Sequence, residues 1–125
     1  MYDKNNIFAK IIRGELPTRK IYENQHAMSF YDMYPQAEIH VLIVPKGEYE
    51  NILDFTTNAS AQEQAGFWQA FVETAKILKV SDNFNAWMNA GLGCPFLSGE
   101  RIMHFHLHLM AGRRRPDFNV DIFLR

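Results

Sequence analysis

Residues 102–110 read IMHFHLHLM. Histidine recurs at every second position, as His104, His106 and His108, with Met103, Phe105, Leu107 and Leu109 in the alternate places. A period of two belongs to a β-strand, whose successive side chains point to opposite faces. The spacing predicts a strand over 102–110 with the imidazoles on one face and the apolar residues on the other. The apolar row makes a good core face. The imidazoles, about 6.5–7 Å apart along the backbone, do not, because a buried imidazole needs a partner for each nitrogen.

Three readings of that row stand side by side. It is a solvated strand face that happens to hold three of the chain's five histidines. It is a metal site, in which two histidines at i, i+2 share an ion with a ligand from elsewhere; all three cannot reach one ion, since a strand spreads the first and last over about 13 Å. Or it is a site for phosphoryl or nucleotidyl transfer. There one imidazole, unprotonated near neutral pH, is a nucleophile, and its neighbours donate to phosphate oxygens and hold its tautomer.

The remaining elements follow from pattern. Residues 6–14 predict a short helix with Asn6 as cap, Ile7, Phe8, Ile11 and Ile12 at helical spacing, Gly14 at its end and Pro17 beyond. Residues 19–24 and 27–32 are β-type runs joined as a hairpin, 33–39 a loop, and 40–46 a strand stopped by Pro45. Residues 47–55 suit one helical turn. Ser60 with Glu63 has the form of a capping box opening a long helix to Lys79, with Phe67, Ala70, Phe71, Thr74, Ala75 and Leu78 on one stripe. A strand over 84–89, a Gly- and Pro-rich loop and the histidine strand complete the order. Helix, three strands, helix, two strands, with short links between strands, predicts an α+β fold with a five-stranded antiparallel sheet, one long and one short helix.

Composition limits the function. The chain has 125 residues, 47% hydrophobic and 22% charged, which fits a single globular domain, with 114–125 as a C-terminal tail. A net charge of −1 supplies no bulk field toward nucleic acid or an anionic membrane. A lone cysteine, Cys94, excludes an internal disulfide and a cysteine-based zinc cluster. No apolar run is long enough for a membrane helix and no signal peptide is visible, so the expectation is a cytoplasmic protein. Arg113, Arg114 and Arg115 read as a solvated basic turn.

HFHLHLM fits the His-φ-His-φ-His-φ-φ signature, φ being apolar, and so resembles the histidine triad (HIT) family. IFAKIIRGELPTRKIYEN, SFYDMYPQAEIHVLIVPK and WMNAG resemble successive blocks of its Hint-like branch, in order, over roughly residues 6–113. The resemblance implies a HIT-like fold and a hydrolase for purine nucleotide derivatives, most simply nucleoside phosphoramidates. His106 would attack the α-phosphorus to form a nucleotidyl-histidine, which water cleaves. His108 would stabilise the phosphate charge, His104 would orient its neighbours, and His40 would be a fourth histidine beside the triad. Asp32 would hold the ribose hydroxyls, Phe30 and Met33 would line the base pocket, and Asn89, Gly99 and Arg101 would serve the phosphate side.

Glu100–Arg101 stand where many relatives read Gln-Ser, so leaving-group assistance differs here. Alternatives are an Fhit-like dinucleoside polyphosphate hydrolase and a nucleotide-binding regulatory protein with negligible turnover. The resemblance also implies a homodimer, through the long helix and the strand at 84–89, to which Phe67, Trp68, Phe71 and Trp87 would contribute. No cofactor and no metal are expected. Some bacterial relatives hold zinc with Cys-x-x-Cys and histidines, and the corresponding positions here are Asn6, Ala9 and Glu48.

Overall fold

The computed structural model describes residues 1–80, 82–90 and 102–116. In chain order its elements are α1 (Ile7–Ile12), β1 (Lys20–Glu23), β2 (Ala27–Tyr31), β3 (Ala37–Pro45), α2 (Ile52–Asn58), α3 (Ala61–Leu78), β4 (Asn85–Trp87) and β5 (Leu107–Arg114). The strands form one antiparallel sheet in the order β1-β2-β3-β5-β4, so the chain leaves β3, passes through α2, α3 and edge strand β4, and returns to fill the place beside β3.

Alternation gives this sheet two distinct faces. Ala27, Val41, Ile43, Leu107, Leu109 and Ala111 point to the side covered by α3, where Phe67, Ala70 and Ala75 meet them, with Phe55 of α2 and Phe105 closing the core. Phe55, Phe67 and Phe105 form one aromatic knot, with centroids 5.1–5.4 Å apart. Met28, Phe30, Leu42 and Val44 point the other way, where Phe8 and Ile11 of α1 cover them. His40 and His108 share that second face, beyond the reach of α1's apolar cover. Each face has its own apolar cluster, and the polar end of the second is the functional candidate.

The helix termini follow from local chemistry. Asn6 caps α1 by accepting from the Ala9 N–H at 2.9 Å, and Gly14, at φ +79°, turns the chain out of it. Both halves of the capping box at α3 are made: the Glu63 N–H donates to Ser60 Oγ at 3.1 Å, and the Ser60 N–H donates to Glu63 Oε1 at 3.0 Å.

Four features differ from the sequence expectation. Ala37–Ile39 belong to β3 rather than to a loop, because they pair with the far end of β5. The segment expected to hold one helical turn carries the whole of α2, with Asn51 accepting from the Asp54 N–H at 2.9 Å, so there are two short helices beside the long one among the described residues. The strand expected over 102–110 starts only at Leu107. β3 reaches Pro45 there, which has no N–H to extend the ladder, and the Phe105 N–H turns instead to the Tyr49 carbonyl at 2.7 Å. β5 then continues past the histidines, so Arg113 and Arg114 are strand residues and not a turn. A bulge opposite Ala37–Ile39 makes that possible: Gly112 sits at φ +78°, and a Cβ there would lie 3.1 Å from that of Glu38.

Candidate active site

Register brings the histidines together. Leu42 pairs with His108, His40 with Met110 and Trp87 with His108, so β3, β5 and β4 deliver His40, His108 and Trp87 to one patch of one face. His106 stands just before β5. Its ring meets Phe8 edge-on at 4.9 Å and His108 at 5.1 Å.

Each ring's tautomer follows from partners that can only donate or only accept. His106 Nδ1 lies 2.7 Å from the His104 carbonyl, which only accepts. Nδ1 therefore carries the proton, and Nε2 is left with a lone pair. His40 Nδ1 accepts from the Gln36 N–H at 3.0 Å, so its proton is on Nε2, 3.0 Å from His108 Nδ1. His40 thus donates to His108 Nδ1, and His108 carries its own proton on Nε2 as a donor. His104 Nε2 donates to the Pro45 carbonyl at 2.8 Å, leaving Nδ1 to accept from the Tyr2 hydroxyl at 2.5 Å. The result is a nucleophilic nitrogen on His106 beside a hydrogen-bond donor on His108.

Burial lowers the pKa of all four rings below the usual histidine value, which keeps them neutral at pH 7. For His104, 1% exposed, it reaches about 4, with the bond to the Pro45 carbonyl opposing the shift. At His108 burial acts together with the neighbouring His106 and His40 rings. At His106 and His40 the Asp32 carboxylate opposes the effect of burial. Asp32 closes the turn after β2: its Oδ1 accepts from the Tyr34 N–H at 2.8 Å, and its Oδ2 stands 3.5 Å from His40 Nε2.

The structure therefore gathers His40, His106, His108 and Asp32 into one cluster, with His104 behind it. Phe30 is 2% exposed and meets Phe8 edge-on at 5.6 Å, beneath α1. Met33, next to Asp32, is 73% exposed. Asn89 lies two residues beyond β4 and is half-buried. Gly99 and Arg101 lie outside the described residues.

The sequence reading misses the part of two residues in this site, assigning Trp87 to the dimer contact and Tyr2 to nothing. Trp87 stacks flat on His108, with centroids 4.7 Å apart and planes 3° from parallel. Its signal is the β4 register, which places it directly opposite that histidine. Tyr2 belongs to no motif and reaches the site only through the fold.

Asp32, His40 and His108 also present ligand atoms within 4.8 Å of one another, a spacing that a divalent ion can span. Within that group His40 Nε2 and His108 Nδ1 are joined to each other by the hydrogen bond described above. Asn6 caps α1, Ala9 packs within it, and Glu48 accepts from Lys4 Nζ at 3.1 Å.

Three histidines alternating in sequence, two of them gathered with His40 and Asp32 at the polar end of a five-stranded antiparallel sheet and the third packed behind them, define a histidine triad architecture. The HIT domain family model matches residues 13–115, and the chain belongs to that family. An uncharacterized HIT-like protein of Azospirillum brasilense is 39% identical over 114 residues, covering 90% of each chain. The solved HIT family hydrolase of Legionella pneumophila superposes with a TM-score of 0.74 at 30% identity, over 88% of this chain and 95% of that one. A HIT family hydrolase of Clostridium thermocellum gives 0.75 at 28% identity, over 94% and 96%.

Proposed function

We propose that this protein hydrolyses purine nucleoside phosphoramidates or related nucleotide derivatives at the α-phosphate, through a nucleotidyl intermediate on His106. The observation that carries this reading is the pair of fixed tautomers: His106 keeps a bare Nε2 while His108 carries an N–H, on rings whose centroids are 5.1 Å apart. Nε2 attacks the α-phosphorus, an N–P bond forms, and the bond to the leaving amine breaks as that amine takes up a proton from solvent, a proton that the attacking water of the second step returns. The His106 Nδ1–H bond to the His104 carbonyl supports the positive charge that develops on the ring. His108 Nε2–H donates to a phosphate oxygen as its charge grows. Water then attacks phosphorus, the N–P bond breaks, and the nucleoside monophosphate leaves with His106 restored. Asp32 accepts from the ribose hydroxyls, and exposed Met33 beside it offers apolar surface to the base.

The test is turnover of an adenosine phosphoramidate by the wild type and by His106→Asn, with diadenosine polyphosphates as competing substrates. Wild-type turnover should be fastest on the phosphoramidate, and His106→Asn should be inactive while still binding nucleoside monophosphate. Mass spectrometry after a rapid quench without acid should find the nucleotidyl adduct on His106. Hydrolysis by the Asn variant at the wild-type rate would refute the role of His106. Preferred cleavage of the dinucleotides would transfer the protein to the Fhit-like reading, and binding without turnover would leave a regulatory one.

The same reading includes a two-fold dimer. Trp68 and Val72 on α3 are 44% and 47% exposed, Phe71 and Phe84 are half-buried in contact with each other, and β4 is a sheet edge. Phe67 is internal and does not contribute. Light scattering at micromolar concentration should give twice the chain mass.

A further inference from the structure

We propose that Tyr2 is a positioning residue for the His106 imidazole, acting through His104. This inference rests on the proposed role of His106. The His104 peptide carbonyl fixes the His106 tautomer at 2.7 Å, so whatever holds His104 still also holds the nucleophile. The His104 ring is pinned at both ends: Nε2–H donates to the Pro45 carbonyl at 2.8 Å, and Nδ1 accepts from the Tyr2 hydroxyl at 2.5 Å, in an edge-on ring contact at 5.7 Å. Without the phenol, Nδ1 would be a buried acceptor lacking a partner, and the ring would gain by moving its proton or turning over. Phe8 touches both His104 and His106 edge-on, at 6.3 and 4.9 Å, so a displaced His104 ring is felt directly in the packing around the nucleophile.

The segment that carries Tyr2 is held down independently. Lys4 Nζ donates to Glu48 Oε2 at 3.1 Å, Arg13 donates to the Lys4 carbonyl at 2.9 Å, and the Asn6 side chain donates to the Asp3 carbonyl at 2.7 Å. Burial raises the pKa of the phenol, so it remains a donor across the working pH range. The arrangement is a relay from Tyr2 O–H to His104 Nδ1, and from the His104 carbonyl to His106 Nδ1–H, lying on the side of the ring away from the attacking nitrogen.

The experiment combines nitrogen-15 NMR of the histidine rings with kinetics on the wild type, Tyr2→Phe and Lys4→Ala. In the wild type, His104 Nδ1 should resonate as an unprotonated, hydrogen-bonded nitrogen. In Tyr2→Phe a second His104 tautomer should appear and the His106 Nδ1 proton should exchange faster with water. On an adenosine phosphoramidate that variant should lose about threefold to tenfold in kcat, the scale of one neutral hydrogen bond, at unchanged KM. Lys4→Ala removes one of the three ties and keeps both the hydroxyl and the two remaining ties, from Arg13 and Asn6, and should leave all of these readings at their wild-type values. A protonated His104 Nδ1 in the wild type would overturn the proposal, whether or not Tyr2→Phe folds. So would a Tyr2→Phe variant with unaltered His104 tautomer and His106 exchange, or a Lys4→Ala variant with the same defects. If the wild type hydrolyses no nucleotide, the proposed function fails, while the ring nitrogens still decide whether Tyr2 positions His106.

Discussion

A histidine side chain is directional, because its two nitrogens do opposite jobs in the neutral ring and something must choose between them. Here backbone groups choose: the His104 carbonyl for His106, the Gln36 N–H for His40 and hence for His108, and the Pro45 carbonyl for His104. Main-chain groups in a sheet and its flanking turns cannot rotate away, so the tautomers are built into the fold rather than selected when a substrate arrives. Two variants separate the jobs. His108→Ala removes the donor but spares the nucleophile, and kcat should fall by about 10²–10³-fold, as for a lost oxyanion donor. Trp87→Ala leaves both groups in place but removes the ring stacked on His108 at 4.7 Å. It should cost about threefold to tenfold in kcat, the scale of one aromatic pair. Stopped-flow turnover on one substrate checks both, and an equal loss in the two variants would contradict the separation. The alternation of His104, His106 and His108 was legible at this scale from spacing alone. Their partners were not, since Tyr2, Pro45 and His40 lie 102, 59 and 68 residues away from the rings they bind.

At the scale of elements, strong local signals translated directly and weak ones did not. The Ser60–Glu63 capping box and the Asn6 cap formed as written because their donors and acceptors lie within one helical turn. The start of β5 was not legible. It depends on where β3 runs out of N–H groups, which is a property of the partner strand. The position of β5 between β3 and β4 is non-local in the same way. One polar joint between elements lies wholly inside the core: the Thr74 hydroxyl on α3 donates to the Ala70 carbonyl at 2.6 Å, which leaves Ser29 Oγ on β2 to donate to Thr74 Oγ1 at 2.6 Å. Both side chains are fully buried. Thr74→Val should therefore strand the Ser29 hydroxyl and cost about 1–3 kcal/mol. Adding Ser29→Ala removes the orphaned donor and should recover most of that loss. Urea unfolding of the two single variants and the double variant forms the cycle, and additive losses would show that the two hydroxyls do not depend on each other.

At the scale of the molecule, one sheet serves two layers of opposite character, an apolar side sealed by α3 and a side shared between α1 and a set of neutral imidazoles. Keeping those imidazoles neutral links the site to global stability. The four rings, His40, His104, His106 and His108, all have pKa values lowered by burial, whereas in the unfolded chain each titrates near 6.5. Below that value the unfolded state binds more protons than the folded state, so stability falls as pH falls. The His104 contribution is fully present above about pH 6.5 and is lost progressively down to its folded value of about 4. The loss from that ring alone amounts to about 3 kcal/mol. It should be larger than the loss from any one surface carboxylate, because burial disfavours a proton on His104 more than the Pro45 carbonyl and the Glu48 carboxylate favour it. Chemical denaturation of the wild type should show stability level near neutrality and falling steeply between about pH 6.5 and pH 4. In His104→Gln, whose amide cannot titrate, the fall over that window should be shallower even though the variant is less stable at pH 7. Turnover should follow a separate curve, declining only as His106 itself takes up a proton, at a pH below the ordinary histidine value. A His104→Gln variant that kept the full wild-type slope between pH 6.5 and 4 would show that the buried ring does not govern the acid limit of the fold.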